Sequence, residues 1–267
     1  MAAFHTLNAH STPKAVREAA RLGLLTGPTS GLASGYVQVN LVILPEAEAA
    51  GFLRFCQANP KPCPLLAISE PGDRTCAAMA SNLDIARDVP AYRVYRNGVA
   101  SETVTDVAGE WRDDLVTFAL GCSFTFEHAL IQSGLRIRHI DQSRNVPMYQ
   151  TSIPLTTAGG FSGNMVVSMR PFLAADAIRA IQITTRYPQV HGAPVHLGNP
   201  GLIGISKLHS PDYGDSVSVA DDEIPVFWAC GVTPQQVLID SGVSFAITHS
   251  PGSMLVTDIP DSTLALF

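Results

Sequence analysis

The sequence has few lysines and no cluster of positive charge. Of its 17 basic residues only three are lysines, Lys14, Lys61 and Lys207, and the formal net charge is −6. Nucleic-acid-binding surfaces need clustered Lys and Arg, and a Schiff base needs a lysine desolvated in a pocket. The composition therefore argues against a nucleic-acid partner, and it leaves only Lys207 as a candidate for Schiff-base chemistry.

The sequence also lacks a membrane span, a recognisable leader and a paired cysteine motif. The longest strongly apolar run, residues 37–44, contains Asn40 and is too short to cross a bilayer, and residues 1–10 have no basic head followed by an apolar stretch. The five cysteines include no C-x-x-C pair, which is typical of reduced cytosolic thiols. We therefore expect a cytoplasmic protein with no membrane partner.

Helix and strand patterns intermingle along the chain, which predicts an α/β fold with mixed α+β character. Ser11-Thr12-Pro13 predicts a helix start, and Asn97-Gly98 predicts a hairpin. Further helices are predicted over residues 45–58, 111–120, 125–132, 174–185 and 233–241. Strands are predicted over residues 36–44, 64–69, 135–140, 164–170, 225–229, 245–248 and 254–258, the last two as a pair. Residues 141–163 show no periodicity but contain apolar anchors, which indicates an ordered functional loop.

This pattern predicts two closely packed α/β subdomains with mixed sheets, residues 1–142 and 143–267. The loop at residues 26–35 has three glycines, but no Lys-Ser/Thr pair follows and a strand comes next, so it does not predict a phosphate-binding loop. No cofactor is expected.

Residues 121–128 combine a glycine break, a thiol, a hydroxyl, a carboxylate and an imidazole. Gly121 separates two predicted helices and places Cys122 and Ser123 at the N-terminus of the second, where free amides and the helix dipole lower the pKa of a thiol. Glu127 and His128 follow one turn later and could act as acid or base. The alternative is a buried cysteine beside a residue that only caps the helix.

Residues 228–234 place a second thiol at a strand-to-helix corner. An apolar strand ends in Cys230-Gly231, and Thr233-Pro234 begins a helix. Open α/β sheets bind ligands at such strand ends, so Gly231 and Thr233 are candidate substrate contacts; tight packing is the alternative. Two cysteines that face each other across a substrate could exchange a proton at a chiral centre, which makes Cys122 and Cys230 candidates for an isomerase pair.

Histidines in the second half supply further acid–base candidates. His191, His196, His209 and His249 could ligate a metal together with nearby acids, but the interval from His191 to His196 contains Gly and Pro and gives no helical or strand-paired spacing. We therefore predict that His191, His196 and His249 are catalytic or substrate-contacting residues, and we predict no metal.

Arginine binds carboxylates through a bidentate fork, and neutral amides add orientation. The predicted substrate-binding residues on this argument are Arg144, Asn145, Tyr149 and Arg170. A surface salt bridge is the alternative explanation for either arginine.

Longer motifs run through the same segments, and they make the chain recognisable: Asn59-Pro60-Lys61-Pro62-Cys63-Pro64, Trp111-Arg112-Asp113-Asp114, Gly121-Cys122-Ser123-Phe124, Arg144-Asn145-Val146-Pro147-Met148-Tyr149, His191-Gly192-Ala193-Pro194-Val195-His196, residues 225–235 and residues 247–252. With these motifs the chain resembles the hydro-lyases of the D-glutamate cyclase family over nearly its whole length. The resemblance implies a two-part α/β fold and a lyase that adds or removes water, and the activity named in the family interconverts D-glutamate and 5-oxo-D-proline.

Such a reaction would need a neutral amine, a stabilised oxyanion and a proton for the departing hydroxide. Cys122 and Ser123 could hold the oxyanion, Glu127 or His128 could act as acid or base, and one of the three histidines could be the opposite partner. Two other functions stay open: a two-cysteine isomerase, and a binding partner of a metabolic enzyme that holds a small acid without converting it. All three share a small anionic ligand, and self-association into a homo-oligomer is compatible with each.

Overall fold

The computed structural model describes residues 6–266, so the first five residues of the segment searched for a leader lie outside the described residues. The fold is of the mixed α/β class. Within the described residues the strands are β1 Tyr36–Pro45, β2 Leu65–Ile68, β3 Tyr92–Arg96, β4 Val99–Val104, β5 Leu115–Gly121, β6 Met148–Pro154, β7 Asn164–Leu173, β8 His196–Leu197, β9 Glu223–Ala229, β10 Phe245–His249 and β11 Leu255–Pro260. The helices are α1 Pro13–Arg21, α2 Glu46–Ala58, α3 Phe124–Gln132, α4 Arg138–Asp141, α5 Ala174–Thr185 and α6 Thr233–Asp240. None of these helices is long and apolar enough to cross a membrane.

The first sheet has seven strands in the order β2-β5-β1-β10-β3-β4, with β11 also paired to β1. Its central strand β1 is rich in Val, Ile and Leu and is buried at every residue except Tyr36, so it forms the middle of the core. One side of β1 pairs with β5, and the other side pairs first with β11 and then with β10. The predicted pairing of the last two strands with each other is therefore wrong, because both use β1 as their partner.

The second sheet has four strands in the order β6-β7-β9-β8. Every strand pair within residues 6–266 is antiparallel, so the prediction of mixed sheets is wrong in this respect. The first sheet draws its strands from both ends of the chain, and the subdomain boundary at residue 142 stays a prediction.

Three predicted elements differ from the observed ones. The helix predicted over residues 111–120 is largely the strand β5, since Leu115–Gly121 is buried at every position and a fully buried strand shows no alternation that separates it from a helix. The strand predicted over residues 135–140 is wrong, because residues 135–137 are irregular and residues 138–140 belong to the short helix α4. The predicted irregular loop at residues 141–163 contains the strand β6.

Two helices tie the sheets together. The helix α3 follows β5 of the first sheet, but its Phe126 and Leu130 pack with Trp228 of the second sheet. The helix α6 follows β9 of the second sheet, but its Val237 and Leu238 pack on the first sheet. Because each helix crosses from its own sheet to the other, the two strand-to-helix corners lie at the junction of the sheets.

Candidate active site

The two corners carry the cysteines at positions 122 and 230. The strand β5 leads through Cys122 into α3, and β9 leads through Cys230 into α6. Cys122 lies two residues before Phe124, the first residue of α3, and Cys230 lies three residues before Thr233, the first residue of α6. Unpaired amides and the helix dipole favour negative charge at a helix N-terminus. Both helix starts lie where the sequence predicts them, although a strand and not a helix precedes Cys122.

A threonine after each cysteine fixes the corner to a neighbouring strand. Thr125 Oγ1 accepts a hydrogen bond from the Gln38 amide at 3.1 Å and donates to the Gln38 carbonyl oxygen at 3.4 Å. Thr233 Oγ1 makes the same two contacts with Val166, at 3.0 and 3.1 Å. The two corners are therefore built alike. The Thr233 hydroxyl, predicted as a substrate contact, is engaged by the backbone.

The corners meet in one group of buried side chains, which we call the thiol cluster: Cys122, Phe124, Val146, Met148, Val166, Cys230, Val232 and Met254, with Tyr213 packed against it. Cys122 and Cys230 keep 6% and 7% of their surface exposed, whereas Val166 keeps none. Both cysteines are therefore buried.

The two thiols differ in acidity. Burial raises the pKa of Cys230 to about 11, and the amides of Val232 and Gly231 and the charge of Arg170 oppose this rise. Burial raises the pKa of Cys122 further, since the charges of Cys230 and Glu127 add to it and only the Phe124 amide and Arg170 oppose it. Cys230 is therefore the thiol that loses its proton more readily.

A buried ion pair stands beside the thiol cluster. Arg170 on β7 donates through Nε to Glu127 Oε1 at 2.9 Å and through Nη2 to the same oxygen, and both residues are almost fully buried. The remaining donors bind hydroxyls, Nη2 to Ser123 Oγ and Nη1 to Ser168 Oγ, both at 3.1 Å. Arg170, predicted to bind substrate, thus has all its donor nitrogens occupied by protein groups.

The partners of Glu127 keep it ionised. Burial in itself raises the pKa of Glu127, but the charges of His139 and Arg170 and their hydrogen bonds lower it to about 2. A carboxyl group with this pKa is ionised near neutral pH, so Glu127 pairs with Arg170 as a carboxylate.

His139 and Ser30 belong to this group, although neither is among the predicted site residues. His139 Nε2 lies 3.3 Å from Glu127 Oε1, and Ser30 Oγ lies 3.3 Å from Glu127 Oε2 and 3.2 Å from His139 Nε2. The sequence does carry a signal for His139, because Leu135, Ile137 and His139 alternate with charged residues and all three are buried. Nothing in the local sequence points to Ser30.

Asn40 joins the two corners. Its side-chain Nδ2 donates to the Gly121 carbonyl oxygen at 2.8 Å. A Cβ added to Gly231 would lie 2.0 Å from the Asn40 side chain, so Gly231 lets the amide approach the second corner. The structure thus assigns Gly231 a packing role, and Asn40 is visible in the sequence as the polar interruption of an apolar run.

His191 is buried in the left-handed backbone conformation, with φ of 82°. Its Nδ1 lies 2.8 Å from the Lys61 carbonyl oxygen, so Nδ1 carries the proton, and its buried Nε2 has no hydrogen-bond partner among the described residues. Burial lowers the pKa of His191 to about 4, so the ring is neutral near pH 7. Its backbone strain and free nitrogen are typical of functional positions.

The other predicted histidines lie in three different places. His249 Nδ1 accepts from the Leu41 amide at 3.0 Å within the first sheet, and burial lowers its pKa to about 4. His196, on the edge strand β8, bonds to the Asn199 carbonyl oxygen at 2.8 Å. His128 is half-buried and lines a narrow cleft of about 20 Å³ that reaches Glu127 and has room for one water molecule.

The loop residues predicted to bind substrate separate in the structure. Arg144 is exposed and donates to the Ser216 carbonyl oxygen, and Tyr149 donates to the Leu208 carbonyl oxygen at 2.6 Å. Asn145 is buried against Gly252, and its Nδ2 donates to the Pro251 carbonyl oxygen at 3.1 Å. Its Oδ1 has no partner within the part of the chain that the structure describes. Lys207 is exposed, which does not suit a desolvated Schiff-base lysine.

The site therefore consists of two cysteine corners of similar construction, the Arg170–Glu127 ion pair and His139. Among residues 6–266 no three His, Cys, Asp or Glu side chains converge as metal ligands would. The fold and the site define a mixed α/β protein with a buried two-thiol centre.

Comparison with known proteins gives the family. The family model described as D-glutamate cyclase matches residues 116–258. A Bordetella pertussis protein named "Putative hydro-lyase" is 62% identical over 248 residues, which cover 93% of this chain and 90% of that protein. A protein of the same name from Xanthobacter autotrophicus is 56% identical over 261 residues, which cover 98% of this chain and 95% of that protein. The chain belongs to the D-glutamate cyclase family.

Among solved structures, a nitrogen repressor-like protein from Methanococcus jannaschii aligns with 91% of this chain and with 97% of its own length. It is 10% identical with a TM-score of 0.35, which is too low to support a conclusion about the fold.

Proposed function

We propose that this chain is a hydro-lyase that adds or removes water at a small carboxylic acid, and that it interconverts D-glutamate and 5-oxo-D-proline. The observation that carries the proposal is the pair of cysteines, each before a helix N-terminus and both in one buried cluster. Family membership and the names of the relatives support the reaction class.

The reaction needs a base, an acid and hydrogen-bond donors that stabilise a negatively charged oxygen. In the cyclising direction the neutral amine attacks the carbon of the protonated γ-carboxyl group, a C–N bond forms, and the C–O bond to the hydroxyl breaks. The amine loses a proton and the departing oxygen gains one, so that one water molecule leaves. Helix N-termini hold the oxyanion formed on the way, because their amides have no partner within the helix.

The difference in acidity between the thiols assigns the two proton-transfer roles. Cys230 has the lower pKa, and the charge of Arg170 favours its thiolate, so its thiolate is the base. Cys122 keeps its proton more firmly, so its thiol is the acid that protonates the departing oxygen. Reversal of the two roles opens the lactam.

The Arg170–Glu127 ion pair influences the proton transfers without contacting the reacting atoms. Arg170 favours the thiolate form of both cysteines, and Glu127 fixes the guanidinium in place. Glu127 and Arg170 are therefore positioning residues. A cytoplasmic location also belongs to the proposal, and it is supported by the five free thiols.

A two-cysteine isomerase is the second candidate, and the likeness of the two corners favours it. The same base and acid on opposite faces of a substrate would remove an α-proton and return another from the far side. The two functions share the thiols and differ in the bond that breaks, which is C–O in the hydro-lyase and only C–H in the isomerase.

Proton NMR in deuterated water separates these candidates. The purified chain is incubated with D-glutamate and, separately, with 5-oxo-D-proline, next to the variants Cys122→Ser and Cys230→Ser. We expect each compound to convert into the other and both variants to lose at least about 100-fold in rate. Exchange of the α-proton without conversion would favour the isomerase, and neither exchange nor conversion would refute both functions for these substrates.

A further inference from the structure

A surface groove of about 490 Å³ lies between the residues that follow α4 and the loop at residues 208–219. Eight residues line it: Gln142, Arg144, Leu208, His209, Ser216, Val217, Ser218 and Val219. None of these eight belongs to the thiol cluster. Pockets that bind small molecules have volumes of about 300–1,000 Å³. The groove is therefore large enough to hold a ligand of its own, away from the two cysteines.

Part of the groove wall is apolar. Val217 is buried, and Leu208 and Val219 are partly buried. All three pack in the apolar cluster of the second sheet, which includes Tyr149 and Phe227. A ligand that covers the exposed parts of Leu208 and Val219 removes apolar surface from water, so the groove favours a ligand with an apolar portion.

The charge in the groove wall is positive. Arg144 is exposed, and the hydrogen bond that its guanidinium makes to a described residue runs from Nη1 to the Ser216 carbonyl oxygen. None of the eight lining residues is acidic. The adjacent Asp215 is exposed and accepts a hydrogen bond from the Asn145 amide through Oδ2 at 2.8 Å. A guanidinium has five N–H donors, so Arg144 keeps donors for an anionic ligand.

The hydroxyl of Ser218 is a second donor for such a ligand. Its Oγ accepts from Arg138 Nη1 at 3.1 Å and from Gln142 Nε2 at 2.8 Å. A serine oxygen accepts two hydrogen bonds and donates one. Because both acceptor positions of Ser218 are used, its hydroxyl proton is directed to a further acceptor, which a ligand in the groove can supply.

We propose that this groove binds a small carboxylate that carries an apolar group, as a ligand separate from the acid that reacts at the thiol cluster. The carboxylate pairs with the Arg144 guanidinium, whose planar fork matches it, and accepts from the Ser218 hydroxyl. The apolar group covers Leu208 and Val219. The inference goes beyond the proposed function and does not depend on it.

The test compares hexanoate with hexanamide, its neutral counterpart of similar shape, and with acetate, which lacks the apolar chain. Proton NMR at about pH 8 and low salt follows the Cε1 proton of His209, which lines the groove. The variant His209→Gln identifies this signal among those of the eight histidines. We expect a saturable shift with hexanoate, and a Kd at least about tenfold lower than that of hexanamide or acetate.

The variants are Arg144→Gln, Arg144→Lys and the matched control Arg136→Gln. Arg136 is also an exposed arginine next to α4, but it is paired with Asp141 at 2.9 Å and does not line the groove. We expect Arg144→Gln to weaken hexanoate about tenfold, to the level of hexanamide. Arg144→Lys should keep a preference for hexanoate, and the control should leave its Kd unchanged. Thermal unfolding checks that each variant is folded.

Three results would overturn the inference. The first is that hexanoate gives no saturable shift at His209, or binds no more tightly than hexanamide or acetate. The second is an unchanged Kd for hexanoate in folded Arg144→Gln. The third is loss of hexanoate binding in Cys230→Ser, because this would place the ligand at the thiol cluster. The measurement needs no turnover, so a chain that converts neither D-glutamate nor 5-oxo-D-proline refutes the proposed function alone.

Discussion

Glu127→Gln tests how strongly the buried ion pair holds the site together. The substitution keeps the shape of the side chain but leaves the Arg170 guanidinium buried without a counter-charge, between Phe126 and Trp228, whose ring centroids lie 5.4 and 5.5 Å from the guanidinium carbon. Removing one partner of a buried pair costs about 3–5 kcal/mol. The pKa gives a similar figure, since a fall from 4.5 to about 2 corresponds to roughly 3 kcal/mol.

Urea unfolding at pH 7 measures this loss, with tryptophan fluorescence as the probe because Trp228 contacts the ion pair. We expect Glu127→Gln to lower the free energy of unfolding by about 3 kcal/mol. The double variant Glu127→Gln with Arg170→Met should recover much of this, since a neutral side chain then fills the space between the two rings. Glu110→Gln, which breaks the exposed pair with Arg96, is the control and should cost about 1 kcal/mol or less.

A loss below about 1 kcal/mol for Glu127→Gln would refute the reasoning, because it would mean that water or another group already compensates Arg170. The sign of the pH dependence follows from the same shift. The folded-state pKa of Glu127 lies below its unfolded value, so this contribution is present above pH 4.5 and is lost as the pH falls toward about 2.

Three further predictions follow from the buried groups. The pKa of His191 and of His249 falls from 6.5 to about 4 on folding, so the free energy of unfolding should decrease as the pH falls from 6.5 toward 4, by up to about 3 kcal/mol for each ring. A urea midpoint that does not change between pH 7 and pH 4.5 would contradict this prediction. With Cys230 as the base, kcat/KM should rise about tenfold per pH unit above pH 7 toward its pKa of about 11, and a rate that is level from pH 7 to 10 would argue for another base. Gly231→Ala should push the Asn40 side chain away and lower stability by about 1–3 kcal/mol, and Asn40→Ala in the same chain should restore part of it; a single variant as stable as the wild type in thermal unfolding would exclude the close approach.

Local signals in the sequence were sufficient where one or two residues decide the structure. Thr12 caps α1 by accepting from the Ala15 amide at 3.2 Å, and Asn97 and Gly98 adopt positive φ of 50° and 73° in the hairpin turn, so both predictions are confirmed. The start of α6 after Cys230 is also confirmed. The helix predicted over residues 111–120 is wrong because β5 is buried on both faces and carries no period of two.

The candidate site was only partly visible for a different reason. The position of each cysteine before a helix is a local feature, and it could be predicted. The ion pair joins residues 43 positions apart, and its partner Ser30 lies 97 positions from Glu127, so neither contact leaves a local pattern. Arg170 was predicted to bind the substrate because the sequence does not reveal that its donor nitrogens are already hydrogen-bonded to Ser123, Ser168 and Glu127.

The most direct test of the account is the fate of water oxygen during turnover. The wild-type chain, Cys122→Ser and Cys230→Ser are incubated with 5-oxo-D-proline in ¹⁸O-labelled water, and mass spectrometry follows the D-glutamate that forms. We expect one labelled oxygen in the γ-carboxylate for the wild type and at least about 100-fold less product for either variant. Labelled product formed at the wild-type rate by both variants would contradict a reaction at the two thiols.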